Sequence, residues 1–277
     1  MNLLAFPTHL NWFHHIAELA LLDHLSVDYK IYYLVCSASI PVCPVSLSPT
    51  TDVCKMCTQG HLKKLEGYSD TWSFHKFPPT DRDDISQSFT IPDKYEEIAL
   101  LRLGNYEIGK TMIKGITIYD LDWMSINYKD QKVKQILLDI YITAAHVYTT
   151  TRKIIKLLNI STTLIFNGNQ FPEEAFMAAS QDEGIHFYVH ERGIFPVKIF
   201  LARDHNPHHM WVLAHDAIST RPSESEIRLA DKYLEAPTSA WGHKGFGANW
   251  TTKPENRDFW NDSEGKSIWT YFDSTAL

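Results

Sequence analysis

The sequence predicts a three-layer α/β domain built on a mostly parallel sheet. Short apolar runs at 2–7, 31–35, 163–167 and 185–190, rich in β-branched and aromatic residues, alternate with stretches at helical spacing. Two of these runs, LIFNG and IHFYVHERG, end in polar residues and a glycine where the chain turns. A strand buried on both faces is apolar for most of its length, so polar residues gathered at its carboxyl end need a separate reason. In an open parallel sheet, ligands bind in the crevice outside those ends. Asn167, Gly168 and Asn169, with His190, Glu191, Arg192 and Gly193, fall at that edge. Turn chemistry is the competing explanation for the Asn-Gly and Arg-Gly pairs, and the pattern alone leaves both open.

Taken in order, NLLAFP is a first strand ending near Pro7, Thr8 and His9. From about Trp12 to Leu25, Ile16, Leu19, Ala20 and Leu22 fall on one helical face. IYYLVC is a second strand, so the chain opens strand, helix, strand, as a doubly wound domain does. A cysteine-rich loop follows, then SFHKFP as a third strand and a polar loop over 81–92. From Tyr95 to Leu158 the pattern is mainly helical, with Val133, Ile136, Leu137, Ile140 and Ala144 at helical spacing. Between strands 163–167 and 185–190, Pro172-Glu173-Glu174 suits a first helical turn and Gly184 a C-terminal cap. FPVKIFLA is a further strand, 223–234 a helix with acidic residues at its start, and 236–266 a loop or linker. SIWTYFDSTAL then resembles a strand entering a turn. No internal repeat is visible.

Composition narrows the function. The chain has 277 residues, 44% hydrophobic and 21% charged, as an ordinary globular protein has. A net charge of -7 without any basic block argues against a nucleic-acid binder. The N-terminus lacks a positive n-region, and Glu18 and Asp23 interrupt its apolar run, so it makes a poor signal peptide. No apolar stretch reaches the roughly 18 residues of a membrane span. The protein therefore reads as cytoplasmic, and the three glycosylation sequons at Asn159, Asn249 and Asn261 as chance matches.

Several residues could carry chemistry. All four cysteines, Cys36, Cys43, Cys54 and Cys57, fall within 22 residues and close with a CxxC. Four thiols can surround a structural zinc ion or hold an iron–sulfur cluster. Reduced thiols and a pair of disulfides are the alternatives, the second disfavoured in the cytoplasm. His9 lies in the first strand-to-helix turn, where it could serve as a general base. Asp204, His205, His208 and His209 could bind a metal, although a surface run of histidines is the commoner outcome. No GxGxxG, Walker loop or GxSxG is present, which weakens dehydrogenase, NTPase and hydrolase readings.

The run IFNG-x-x-x-PEEA-F-x-A-A-x-x-x-x-G-I-x-F-Y-V-H-E-R-G resembles a signature of bacterial capsule and surface-polysaccharide biosynthesis proteins. The cysteine loop resembles an insertion in some of them, RPSESEIRLADKYL resembles one of their helices, and WTYFDSTAL resembles the start of their second domain. This chain departs from the family at Asn169-Gln170, where arginine is frequent. The resemblance implies a glycosyltransferase of GT-B type, with two Rossmann-like domains facing across a cleft. Residues 1–262 would form the N-terminal, acceptor-side domain with the Cys-rich insertion 36–57, and 263–277 the start of a second domain that binds the nucleotide-sugar.

The resemblance implies a nucleotide-sugar donor and a glycan or glycolipid acceptor, met at the inner face of a membrane. His9 or Glu191 would be the base, and Arg192 would orient a phosphate or carboxylate. The plainer reading of Glu191-Arg192 is an ion pair pinning its strand. The alternative function is a metal-stabilised module that binds carbohydrate or protein without catalysis. Its aromatic-rich tail, with Trp241, Trp250, Trp260 and Trp269, fits either reading.

Overall fold

In the computed structural model the first strand, β1 (Asn2–Phe6), lies in the middle of a six-stranded sheet, with Leu3, Leu4, Ala5 and Phe6 all fully buried. Alternate side chains point to opposite faces of a strand, and β1 feeds two cores accordingly. Leu3 and Ala5 join one cluster, Leu4 and Phe6 the other. The structure describes residues 1–6, 12–44, 52–68, 70–80, 89–116, 126–192 and 199–205, with Glu224. The chain divides into two compact units, Met1–Arg192 with Ile199–His208, and Gly193–Lys198 with His209–Leu277. Every described residue but Glu224 falls in the first. The domain boundary at 262, the helix expected over 223–234 beyond Glu224, and the linker and strand expected after it lie outside the described residues.

β1 is followed by α1 (Trp12–Leu25), β2 (Lys30–Val35), α2 (Asp52–Leu65), a short 3-10 turn and β3 (Ser73–Lys76). Then come α3 (Tyr95–Ala99), α4 (Ile108–Gly115), the long α5 (Gln131–Leu157), β4 (Thr162–Phe166), α6 (Phe171–Asp182), β5 (His186–Arg192) and β6 (Ile199–Arg203). The strands form one sheet in the order β3-β2-β1-β4-β5-β6. All neighbours are parallel except β5 and β6. The fold is thus an α/β, Rossmann-like domain, and the four strands expected to share a sheet do so.

Leu19 and Leu22 of α1, with Leu65 of α2 and Trp72, cover one face of the sheet. Residues of α3 to α6 cover the other, among them Ile98, Met112, Leu137, Ile140 and Phe176. Local chemistry explains where these helices stop and start. Asp130 caps α5 by accepting from the Lys132 N–H at 2.7 Å. Asn159, at φ 49°, closes that helix, and the Ile160 N–H returns to the Ile155 carbonyl at 2.9 Å. Gly184, at φ 66°, closes α6 in the same way. Gly109 lets α4 begin against α3, since a Cβ there would stand 1.8 Å from the Ile98 carbonyl oxygen.

One element differs from expectation. Cys54 and Cys57 stand not in a loop but in the first turns of α2. Gly60 and the polar composition of DVCKMCTQGHLKKL dilute its apolar period, which is why the helix does not show in the sequence. β6 reverses the direction of the sheet at its edge, a feature common in otherwise parallel sheets.

Candidate functional site

The helices after β1 and β2 lie on one face, while those flanking β4 lie on the other, so the strand order switches between β1 and β4. A crevice outside the carboxyl ends at such a switch is where ligands bind in open α/β sheets. Asn167 and Gly168 leave β4 there with φ of 62° and 74°. Asparagine tolerates this left-handed conformation because its side chain bonds locally. Here the Asn169 N–H donates to Asn167 Oδ1 at 3.1 Å, and the Gly168 N–H to the Phe166 carbonyl at 2.7 Å.

The same asparagine reaches across to β5. Its backbone N–H donates to the His190 carbonyl at 2.8 Å, and its Nδ2 to Glu191 Oε2 at 2.6 Å. With Oδ1 accepting and Nδ2 donating, the amide has a defined orientation, and it fixes the half-buried Glu191 carboxylate at the edge. A cation joins from α4: Lys114 Nζ lies 3.4 Å from Asn169 Oδ1 and 2.8 Å from a Glu174 oxygen. Glu174 also accepts from the Thr111 hydroxyl at 2.6 Å. The result is a polar row along the carboxyl ends of β4 and β5, with the Glu191 and Glu174 carboxylates placed and donors beside them. Such a set can bind hydroxyl groups and take a proton from one.

His190 does not share that row through its ring. The two-residue period of β5 turns its side chain to the α1 face, where it is 1% exposed. There its Nε2–H donates to Glu18 Oε2 at 3.1 Å, and Glu18 Oε1 accepts from the Tyr33 hydroxyl at 2.8 Å. Burial first, and then the neighbouring Glu18 charge, pushes the Tyr33 phenol well above its ordinary range. Arg192 ends β5 opposite Ile199, and only its backbone is described. His9 and Gly193 lie outside the described residues. Glu18 and Lys114 carry no motif in the sequence; only the fold brings them to this end of the sheet.

None of the four cysteines forms a disulfide. Cys36 and Cys43 pack against the α5 side of the sheet, and burial pushes the Cys36 thiol up. Cys57 stands close enough to Tyr33, on the α1 side, to influence its ionisation. Among the described residues, no group of three or more His, Cys, Asp or Glu side chains is placed to hold a metal ion. His205 Nδ1 contacts the Arg203 carbonyl at 2.7 Å and Asp204 pairs with His186 at 2.8 Å, while His208 and His209 lie outside the described residues. No described helix is long and apolar enough to cross a membrane.

No protein-family model matches this chain, and no curated protein does. Similar solved structures include UGT2 of Phytolacca americana complexed with UDP-2fluoro-glucose and pterostilbene, at 10% identity and a TM-score of 0.34, covering 69% of this chain. This chain spans 30% of that protein's length. A deacetylase of the teicoplanin biosynthesis pathway is 13% identical with a TM-score of 0.35, covering 69% of this chain and 67% of its own. A CDPS from Fluoribacter dumoffii is 10% identical with a TM-score of 0.37, covering 73% and 90%. Likenesses this distant carry no argument about chemistry.

Proposed function

We propose that this chain is the acceptor-side half of a GT-B glycosyltransferase, moving a sugar from a nucleotide-sugar to a glycan or glycolipid in surface-polysaccharide biosynthesis. The observation that carries the reading is the Asn167–Glu191 pair, 2.6 Å apart at the switch edge of the sheet. The signature-like run from Ile165 to Gly193, in which both residues sit, supports it independently. In this reading the acceptor hydroxyl oxygen attacks the anomeric carbon and the bond to the nucleoside diphosphate breaks. Glu191 or His9 takes the hydroxyl proton, and the diphosphate leaves with the electron pair. Asn167 aims Glu191, and Arg192 and Lys114 offer positive charge to an anionic part of either substrate. The acceptor would meet the enzyme at the inner face of a membrane.

The four cysteines remain a proposed structural zinc or iron–sulfur site, supported by their clustering in sequence and by the placement of Cys54 and Cys57 one turn apart on α2. The functional test is direct. The protein, expressed from its full reading frame, is incubated with a panel of nucleotide-sugars and membrane glycolipid or glycan fractions, and products are read by mass spectrometry. A product heavier by one sugar, together with released nucleotide, supports transfer. Carbohydrate binding with no turnover for any donor supports the binding module instead.

A further inference from the structure

We propose that Glu18 is a positioning residue for the carboxyl edge, holding Glu191 and Asn167 in place through His190. The proposal rests on the reading of that edge as the reacting site. Glu18 lies within α1 and its side chain is 2% exposed, as is that of His190. A carboxylate so placed must be desolvated, and that cost is offset only by good partners. Glu18 has them on two different strands: the Tyr33 hydroxyl of β2 holds Oε1, and the His190 ring of β5 meets Oε2.

Fixing one carboxylate oxygen from β2 sets the direction of the other, so the position of the His190 ring is determined from outside its own strand. Burial and the Glu18 charge keep the Tyr33 phenol protonated at neutral pH, so it stays a donor. The backbone at His190 is then the hinge between two contacts. Its carbonyl accepts from the Asn167 N–H at 2.8 Å, and the next residue, Glu191, is bonded by Asn167 Nδ2 at 2.6 Å. One peptide unit therefore separates the buried anchor from the edge carboxylate. Apolar side chains of similar volume would tie α1 to the sheet at least as well. They would not fix a direction, and the charged cluster occurs where β5 delivers Glu191.

The test compares Glu18→Gln with Tyr33→Phe in the full chain. Glu18→Gln keeps shape but leaves one acceptor oxygen where Glu18 has two, so it cannot accept from the Tyr33 hydroxyl on one oxygen and the His190 N–H on the other. Tyr33→Phe removes one donor and leaves the His190 contact standing. In nitrogen–proton correlation spectra, Glu18→Gln should move the Asn167 backbone and side-chain amide signals, and Tyr33→Phe, which loosens only the far oxygen of Glu18, should move them less. In the transfer assay, Glu18→Gln should lower kcat by about 10²-fold with KM little changed, the mark of a misplaced reacting group. Unmoved Asn167 signals in folded Glu18→Gln, or equal shifts in both variants, overturn the proposal and leave a structural anchor. Wild-type protein that transfers no sugar removes the glycosyltransferase reading, and the amide signals still decide the role of Glu18. Should Glu18→Gln fail to fold, His190→Asn, which withdraws the ring from Glu18, takes its place with the same expected shifts.

Discussion

Asn167 joins local and cross-strand chemistry, because one side chain closes its own turn and holds a carboxylate on the neighbouring strand. Its left-handed backbone costs little for asparagine or glycine and more for a β-branched residue. Asn167→Gly should therefore shift the unfolding free energy by no more than about 1 kcal/mol, whereas Asn167→Val should lose about 1–3 kcal/mol. Urea unfolding midpoints measure both, and a valine variant as stable as the glycine one contradicts the backbone argument. The sequence made Asn167, Gly168 and Glu191 legible, since each follows an apolar run at a turn. It misplaced the ring of His190, because a string of residues ending a strand does not say which of them faces the core.

Among the elements, α6 joins the site at its first turn to a charge network at its last. Acidic residues at a helix C-terminus oppose its dipole, and Asp182 and Glu183 end α6. Arg152 and Lys156 of α5 offset this, at 2.5 and 3.1 Å from Glu183, while the Tyr148 hydroxyl bonds Asp182. Burial pushes both carboxyls up, but hydrogen bonds from Arg152 and Lys156 to Glu183, and from Tyr148 and Asn105 to Asp182, leave them below their usual values. A carboxyl with a lowered folded-state pKa stabilises the fold above its unfolded value, near 4, and loses that contribution as pH falls through the folded value. The melting temperature should thus fall between about pH 5 and pH 3, and Glu183→Gln should flatten that dependence. An unchanged acid slope in Glu183→Gln contradicts the network's role. The long helix α5 was readable from its apolar period and α6 from its proline and glycine punctuation. α2 was hidden by Gly60 and its polar face, and the segment carrying α3 and α4 read only as generally helical, so Lys114 had no visible address.

The first unit is a mostly parallel sheet covered on both faces, with the candidate site at the carboxyl ends of β4 and β5. That architecture was legible because parallel strands buried on two faces leave near-continuous apolar runs separated by helical segments. Contacts between layers were not legible: no pattern links Glu18 to His190 across 172 positions of chain. The cysteines show the same limit, since closeness in sequence does not say which element carries each: Cys36 follows β2, while Cys54 and Cys57 stand on α2. Metal analysis of protein purified without chelator decides the proposed site. About one zinc, or an iron–sulfur chromophore, per chain supports it, and metal-free protein with four titratable thiols removes it.

The central claim is that the carboxyl edge of β4 and β5 performs sugar transfer with Glu191 as a reacting group. Its most direct measurement is the transfer rate of wild-type and Glu191→Gln protein, taken with the melting temperature of each. Loss of a general base predicts a fall of roughly 10²-fold or more with the melting temperature almost unchanged. A variant that melts far earlier while the folded fraction transfers sugar at the normal rate would contradict the claim and leave Glu191 a structural tie between strands.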